Sequence, residues 1–130
     1  MAPHKIQHRV YYEDTDAGGI VYYANYFKFA ERGRTEYLRA AGFENKILME
    51  KDGLLFVVRR VEADYLSSGR LDDILDVETV VESVKNASFT MKQTIKCGER
   101  LLCSMVVVLA CVDLEGRLAK LPEALKGALK

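Results

Sequence analysis

Three carboxylates lie within four residues of the chain, at Glu13, Asp14 and Asp16, and a double glycine follows at Gly18 and Gly19. The glycines predict a turn, because they can adopt positive φ, and the apolar spacing beyond them predicts a helix. Unpaired N–H groups at a helix N-terminus stabilise anions. A carboxylate on the loop that leads into such an end can act as base or nucleophile beside an oxyanion site, the pair that hydrolysis of an acyl group requires.

Two other interpretations of the acidic loop are open. Clustered acids can simply form a solvated surface turn. The sequence D-T-D-A-G-G also begins like an EF-hand loop, with glycine in the sixth place. Calcium binding is disfavoured because Tyr22 and Asn25 stand at the ninth and twelfth positions, where a ligand and a bidentate glutamate are expected. A predicted strand, rather than a helix, also precedes the loop.

The nucleophiles of other hydrolase classes have little support in this sequence. There is no G-x-S-x-G elbow, and the two imidazoles, His4 and His8, occur in the N-terminal segment outside any recognisable catalytic motif. The histidines and cysteines do not show the spacing of a metal site, and no glycine-rich phosphate loop occurs. The pattern therefore favours a carboxylate enzyme or a protein without catalytic activity, and no metal or other cofactor is expected.

The elements that would position the acidic loop are a strand before it and a helix after it. Ile6 to Tyr12 is predicted as a strand with Ile6, Val10 and Tyr12 on one face. A helix is predicted from Asn25 to Ala41, with Asn25 as N-cap and Gly42 just past the C-terminus. Its apolar residues recur at helical spacing: Tyr26, Phe27, Phe29, Ala30, Gly33, Tyr37, Leu38 and Ala41. Gly33 in mid-helix indicates close packing against a neighbouring element.

Extended segments dominate the rest of the chain. A short helical turn at Lys46 to Glu50 is followed by four predicted strands: Leu54 to Leu66, Ile74 to Val84, Ser88 to Lys96 and Leu101 to Val112. In the first of these, Val57, Val61, Ala63 and Tyr65 are expected on one face, with Arg60, Glu62 and Asp64 on the other. A short closing helix is predicted after Pro122. The order β-α-β-β-β-β predicts one α+β domain spanning 1–130, with the long helix packed on one antiparallel sheet.

Composition restricts the possible partners and compartment. The 130 residues include 19 basic and 19 acidic ones, so no electrostatic attraction to nucleic acid or to an anionic membrane is expected. The longest apolar run, Met105 to Val112, is too short to insert across a membrane. Cys103 and Cys111 lie in the last predicted strand and are expected to be buried thiols, with Cys97 outside it. This usage predicts a cytoplasmic protein.

Several runs of residues together resemble one known family. They are Y-Y-E-D-T-D-A-G-G-I-V-Y, N-Y and E-R-G-R-T-E-Y-L in the first third, then F-V-V-R-R-V-E-A-D-Y, R-L-D-D and V-L-A-C-V-D-L-E-G-R. This set is similar to the YbgC-type acyl-CoA thioesterases, relatives of 4-hydroxybenzoyl-CoA thioesterase. The resemblance implies a hotdog fold, in which a five-stranded antiparallel sheet wraps around one long central helix.

The resemblance also assigns roles to individual residues. The family's catalytic carboxylate falls on Asp16, which would attack the thioester carbonyl or activate a water that does. A backbone N–H near Tyr23 would polarise the carbonyl oxygen. The same correspondence makes Gly19, Val21, Tyr22 and Asn25 substrate-binding residues. Basic side chains would meet the phosphates of CoA, and the candidates are Arg59, Arg60, Lys85 and Lys92, of which Arg59 and Lys85 are chosen. For each of these four taken singly, an ordinary solvated charge is the favoured explanation.

One position departs from the family pattern. Many relatives have V-Y-H where this chain has Val21, Tyr22 and Tyr23, so any contribution of that imidazole is missing or is replaced by a phenol. The departure leaves the expected reaction unchanged. The predicted function is hydrolysis of acyl-CoA to free acid and CoA.

Two rival functions belong to other classes. One is a non-catalytic acyl-CoA-binding or scaffold protein of the cell-envelope Tol-Pal system, with which family members are associated. The other is a hotdog dehydratase, which would need a histidine in a motif that neither His4 nor His8 provides. The resemblance further implies a homo-oligomer, a dimer or a dimer of dimers, with each pocket between two subunits. An acyl carrier protein or a Tol-Pal-linked protein is a possible further partner.

Overall fold

A computed structural model describes residues 3–129 and shows a strand, a long helix and four further strands in that order. The strands are β1 (His4–Arg9), β2 (Leu55–Tyr65), β3 (Ile74–Val84), β4 (Ser88–Cys97) and β5 (Arg100–Val112). The helices are α1 (Asn25–Ala40), the single turn α2 (Asn45–Ile47), which continues as a π-helical turn over Leu48–Asp52, and α3 (Glu123–Ala128). Within this range no helix is long and apolar enough to cross a membrane.

The five strands form one antiparallel sheet in the order β1-β3-β4-β5-β2. Consecutive strands β3, β4 and β5 are joined by short turns, whereas β1 and β2 lie at opposite edges. The chain therefore crosses from one edge to the other through α1. The predicted α+β class and the β-α-β-β-β-β order are both confirmed.

The core lies between α1 and the inner face of the sheet. Alternate residues of the central strands are fully buried there, among them Leu75, Val77, Met91, Ile95, Met105 and Val107. On the helix, Phe29 and Ala30 meet them. Cys103 and Cys111 are buried free thiols, as expected, while Cys97 is only partly buried. The polar side chain of Gln93 is also buried and donates from Nε2 to the carbonyl of Ala30, 2.8 Å away.

Gly33 is the point of closest approach between helix and sheet. A Cβ atom on this residue would lie 2.8 Å from Cγ1 of Val77, 3.0 Å from Nε2 of Gln93 and 3.1 Å from Oγ1 of Thr79. Real Cβ contacts are longer than this, so a side chain here would push α1 off the sheet. The packing role predicted for this glycine is confirmed.

The first strand ends three residues earlier than predicted. Pairing with β3 stops at Arg9, and Val10 is buried, with its N–H bonded to the carbonyl of Asp73 at 2.9 Å. Tyr12 begins a 3-10 turn and is 82% exposed, so its predicted place on one strand face with Ile6 and Val10 was wrong. The turn forms because the Asp14 carboxylate accepts the backbone N–H of Tyr11, which draws the chain out of the sheet.

A bulge in β2 changes which of its residues face the core. The register with β5 shifts between Val58 and Arg60, so Arg59 is the extra residue. Before the bulge Val58 lies opposite Leu109, and after it Val61 lies opposite Val107, both on the inner face. Val57 therefore points outward, and its predicted place beside Val61 was wrong, because strict alternation cannot account for an inserted residue. Beyond the bulge the predicted faces are correct.

Candidate active site

The acidic loop is a tight hairpin at the amino end of α1. Asp16 donates its N–H to the carbonyl of Ile20 at 2.9 Å, and Gly19 donates to the carbonyl of Asp16 at 3.0 Å. Thr15 and Val21 pair as an isolated antiparallel bridge. Gly19 has φ of +78°, a conformation that side chains disfavour, which explains the glycine at this turn. The predicted turn is thus confirmed, and its geometry fixes where the Asp16 side chain starts.

Asp16 carries an exposed carboxylate with a single anchor. Its Oδ1 accepts the backbone N–H of Gly18 at 2.8 Å, and the residue is solvent-exposed. Among residues 3–129 no other donor bonds this carboxylate, and no cation pairs with it. The one hydrogen bond orients the group, while Oδ2 keeps its lone pairs for a proton or a carbonyl carbon. Such a carboxylate has the geometry of a base or a nucleophile.

Asp14, two residues earlier, is in the opposite situation. It is 8% exposed, and its Oδ2 accepts the N–H of Tyr11 at 2.9 Å and lies 3.1 Å from Nε2 of His8. Its carbonyl accepts the N–H of Tyr22 at 2.9 Å and Nδ2 of Asn25 at 2.8 Å. Both acceptor groups of Asp14 are thus used to tie strand β1, the loop and the helix together. Within the cluster, Asp14 has a structural role and Asp16 is chemically available.

The start of α1 leaves backbone donors open. The amide N–H groups of Asn25 and Tyr26 bond the carbonyls of Tyr22 and Tyr23, at 2.8 and 3.3 Å. By contrast, the N–H groups of Tyr23 and Ala24 have no acceptor anywhere in the described range. Two free donors beside a helix N-terminus can stabilise developing negative charge on an oxygen.

The predicted N-cap was wrong by one position. Ala24 is the N-cap, and Asn25 is the first helical residue. Its buried side chain donates to the carbonyl of Asp14 instead of accepting a helix N–H. Asn25 was correctly expected to matter at this junction, but the bond joins the helix to the loop, a tertiary contact that local capping rules do not consider.

An aromatic cluster borders the free donors. The Tyr23 ring, 58% exposed, lies 5.0 Å from the Tyr22 ring and 5.9 Å from the Tyr65 ring at the end of β2. The Tyr26 hydroxyl accepts the N–H of Gly69 at 3.0 Å, and burial raises the pKa of this phenol. Val21, expected to bind substrate, is 3% exposed, and its N–H bonds the carbonyl of Gly69 at 2.8 Å. The buried Val21 therefore anchors the loop to the segment that contains Gly69.

The two basic residues expected at the site lie elsewhere in the same chain. Arg59 is the exposed bulge residue in the middle of β2. Lys85 is exposed in the turn between β3 and β4, beyond Val84, at the end of the sheet away from the acidic loop. A strand of eleven residues spans about 35 Å. Within one chain, Lys85 and Asp16 therefore lie at opposite ends of the sheet.

A cavity of about 270 Å³ opens at that far end, between α1 and the inner face of the sheet. Its walls are largely apolar and include Leu38, Phe56, Val58 and Phe89. Arg34 is the one cation that lines it among the described residues. Sequence reasoning missed this residue, although its position four residues after Ala30 and four before Leu38, both buried, was a signal that it lies on the face toward the sheet.

Comparison with known proteins connects this arrangement to a family. The model of the thioesterase-like superfamily matches residues 10–129. The acyl-CoA thioesterase YbgC of Haemophilus influenzae is 49% identical over 106 residues, which are 82% of this chain and 78% of that protein. A probable thioesterase from Bartonella henselae has a solved structure that superposes with a TM-score of 0.90 at 40% identity, covering 93% of this chain and 100% of the other.

A more distant structure shows the same fold. The crystal structure of a 4-hydroxybenzoyl-CoA thioesterase mutant, complexed with 4-hydroxybenzoyl-CoA, superposes with a TM-score of 0.91 over 100% of both chains at 18% identity. Together with the five-stranded sheet and its long helix, this confirms the predicted hotdog fold.

Proposed function

This chain belongs to the thioesterase-like superfamily, among the YbgC-type acyl-CoA thioesterases, and we propose that it hydrolyses acyl-CoA with Asp16 as the catalytic carboxylate. The overall reaction converts an acyl-CoA and water into a free acid and CoA. The observation that carries the proposal is the contrast within the acidic cluster. The Asp14 carboxylate is engaged by Tyr11 and His8 in contacts that stabilise the fold. The Asp16 carboxylate accepts one N–H, from Gly18, and makes no other hydrogen bond or ion pair within residues 3–129.

Two routes are compatible with a carboxylate at this position. As a general base, Asp16 takes a proton from water while the water oxygen adds to the thioester carbon. The tetrahedral intermediate then expels CoA thiolate, which recovers the proton. As a nucleophile, Asp16 forms a mixed anhydride as CoA leaves, and water then cleaves the anhydride. Positioned acid–base catalysis of this kind contributes about 10²–10⁴-fold to the rate.

The free donors at the helix start supply the complementary interaction. The N–H of Tyr23 is proposed to bond the carbonyl oxygen as it becomes an oxyanion, with the N–H of Ala24 beside it. Removal of one such donor costs about 10²–10³-fold in kcat in enzymes where it has been tested. Gly19 and Tyr22 would shape the entrance, and the phenol of Tyr23 would border it.

A second subunit completes the site in this proposal. Strand β2 is an edge strand of eleven residues, and its outer edge carries backbone groups that natural proteins pair or cover. Pairing of β2 with its symmetry mate is antiparallel about a two-fold axis. The Tyr65 end of one chain, which contacts Tyr23, would then lie beside the Leu55 end of the other chain, next to the cavity.

The same pairing would bring Arg59 and Lys85 of one subunit close to substrate bound at the acidic loop of the other. Lys85 belongs to the end of the sheet that carries Leu55 and the cavity, so in a dimer it approaches the acidic loop of the partner subunit. Both side chains are exposed cations and are proposed to meet the phosphates of CoA across the interface. We further place the enzyme in the cytoplasm, where its buried Cys103 and Cys111 would remain reduced.

The direct test is a panel of acyl-CoA esters of increasing chain length, with release of the CoA thiol measured for wild type and Asp16→Asn. Wild type should release thiol, and the variant should fold normally, bind the esters and lose at least about 10²-fold in kcat. An Asp16→Asn variant with wild-type kcat would refute the assignment. The scaffold alternative receives no support from the relatives described above, which are named as thioesterases.

A further inference from the structure

Arg34 is an incompletely paired cation inside the cavity. Its side chain leaves the middle of α1 and reaches Gln93, with Nη1 donating to Oε1 at 3.1 Å. Gln93 is itself buried and held by the carbonyl of Ala30 and the hydroxyl of Thr79. Burial lowers the pKa of the Arg34 guanidinium, although it remains charged, because an arginine does not lose its proton in a protein. The neutral amide fixes one end of the guanidinium and leaves its other donors unused.

No carboxylate within residues 3–129 forms an ion pair with Arg34. Glu31, one helical turn earlier, also lines the cavity, but it is exposed to solvent and accepts a hydrogen bond from Thr35. The charge of Glu31 acts to raise the pKa of Arg34, against the larger effect of burial, but Glu31 is not in ion-pair contact with the guanidinium and its carboxylate is already bonded to Thr35. Most of the remaining wall is aliphatic or aromatic, so a second charge-assisted partner for Arg34 has to come from outside this chain.

A partner subunit paired through β2 does not supply that acid from its paired strand. Glu62 and Asp64 lie opposite Val106 and Ser104, on the outer face of the sheet, away from α1. The residues that β2 turns toward the helix after its bulge are Val61, Ala63 and Tyr65. The paired strand therefore extends the cavity wall with uncharged side chains. The carboxylate that the partner's loop brings to the site, Asp16, is the one proposed to act on the thioester, at the opposite end of the acyl group from Arg34.

We propose that Arg34 makes this cavity a subsite for the far end of an acyl group that carries a carboxylate. The inference rests on the proposed function and names its substrate class: CoA monothioesters of short dicarboxylic acids, preferred over unsubstituted acyl-CoA of equal length. A planar guanidinium with free donors can bind a carboxylate through two parallel hydrogen bonds. The apolar walls contact the methylene chain between the two ends. A site that offers such donors discriminates against a ligand that lacks the acceptor.

The test compares glutaryl-CoA with valeryl-CoA, which share a five-carbon chain and differ in the terminal carboxylate. We expect wild type to show a kcat/KM at least about tenfold higher for glutaryl-CoA. Arg34→Met should reduce that ratio at least about tenfold, and Arg34→Lys should recover part of it because it keeps the charge. Arg39→Met is the matched control, since Arg39 is an exposed residue of the same helix paired with Glu36 and Glu44.

Binding to Asp16→Asn, measured by calorimetry, separates this inference from the proposed function. If wild type cleaves neither ester, the proposed function fails, yet tighter binding of glutaryl-CoA than of valeryl-CoA would still support the subsite. Equal kcat/KM for the two esters in wild type would overturn the inference without reference to any variant. It would also be overturned if folded Arg34→Met kept the wild-type ratio, because a purely structural Arg34 would not affect discrimination.

Discussion

The imidazole of His8 lies with Nε2 3.1 Å from Oδ2 of Asp14. Its other nitrogen lies 3.4 Å from Nη1 of Arg32, and its ring packs at 4.2 Å against that of Phe29. The histidine thus fastens the buried carboxylate to the first strand and to the face of α1. Because the carbonyl of Asp14 also receives Tyr22 and Asn25, this contact supports the whole junction from which the loop of the candidate site projects.

Asp14→Ala should destabilise the protein more than it impairs the chemical step. Removing the carboxylate leaves the N–H of Tyr11 and the ring of His8 without their acceptor, which costs about 1–3 kcal/mol when such groups are buried. Urea unfolding monitored by circular dichroism should show this loss in the free energy of unfolding.

Asp16→Ala is the matched comparison for that experiment. It removes an exposed side chain with one hydrogen bond, so its unfolding free energy should stay within about 0.5 kcal/mol of wild type while kcat collapses. If Asp14→Ala proved the inactive variant at wild-type stability, the division of labour between the two acids would be reversed.

Much of the fold follows from sequence periodicity, and the exceptions have physical causes. Alternating residues predict β3 and β4, because their inner face is continuous and buried, and an almost continuous apolar run predicts β5. The bulge at Arg59 is set by pairing with the distant strand β5, which the local sequence of β2 does not contain. The early end of β1 depends on a side-chain bond three residues away, from the N–H of Tyr11 to the Asp14 carboxylate, and alternation of apolar residues does not register such a bond.

The tight fit at Gly33 predicts an unusual response to alanine. In an exposed helix Gly→Ala stabilises by about 1 kcal/mol, but here the new methyl would lie 2.8 Å from Cγ1 of Val77. Overpacking of this kind costs about 1–3 kcal/mol, so Gly33→Ala should lower the midpoint of urea unfolding. Gly127→Ala in α3 is the control, because a Cβ there meets nothing within 4 Å, and it should be neutral or slightly stabilising.

The two buried thiols should show low reactivity and a specific pH effect. Burial, together with the nearby negative charge of Asp64, raises the pKa of Cys103 from 9.0 to about 11. Between these values the unfolded chain releases the thiol proton and the folded chain keeps it, so stability is intact below about pH 9 and falls as pH rises toward 11. Iodoacetamide at pH 8 should modify the partly buried Cys97 first and spare Cys103 and Cys111.

Thermal unfolding of wild type and Cys103→Ala across pH 8 to 11 checks the pH effect. The variant should start less stable, because it loses buried volume, but its melting temperature should fall less steeply above pH 9. Tyr37, whose pKa is raised by burial, is present in both proteins and contributes equally to each slope. Burial, and in addition the negative charge of Cys103, raise the pKa values of Tyr26 and Tyr65, so any change in their titration is itself a consequence of removing the Cys103 thiol. Identical slopes would show that Cys103 does not titrate differently in the two states.

The candidate site was only partly visible in the sequence. The residues of its loop are neighbours in sequence, so Asp16, Gly19 and Tyr23 could be assigned to one site from a continuous run of residues. The charged wall of the cavity was not visible, because it depends on which face of α1 meets the sheet and on the approach of Gln93 to Arg34 across 59 residues of chain. The separation of Lys85 from Asp16 likewise emerges only from the strand order.

Strand β2 should mediate assembly of the protein. Light scattering at micromolar concentration should give a mass at least twice 14.7 kDa, because the outer edge of β2 would pair with its mate. A fully active monomer would contradict the shared-site proposal.

Subunit mixing tests the shared site directly. Val58→Glu places a charge on the cavity wall at a residue that is 47% exposed, so the variant should fold but bind the acyl group poorly. Homodimers of Asp16→Asn and of Val58→Glu should both be inactive, since each lacks one half of every site. In a mixed dimer one site combines an intact Asp16 with an intact cavity, so co-refolding equal amounts should restore about one quarter of wild-type activity. If every site were contained in one chain, both mutations would disable their own chains independently, and mixing would restore nothing.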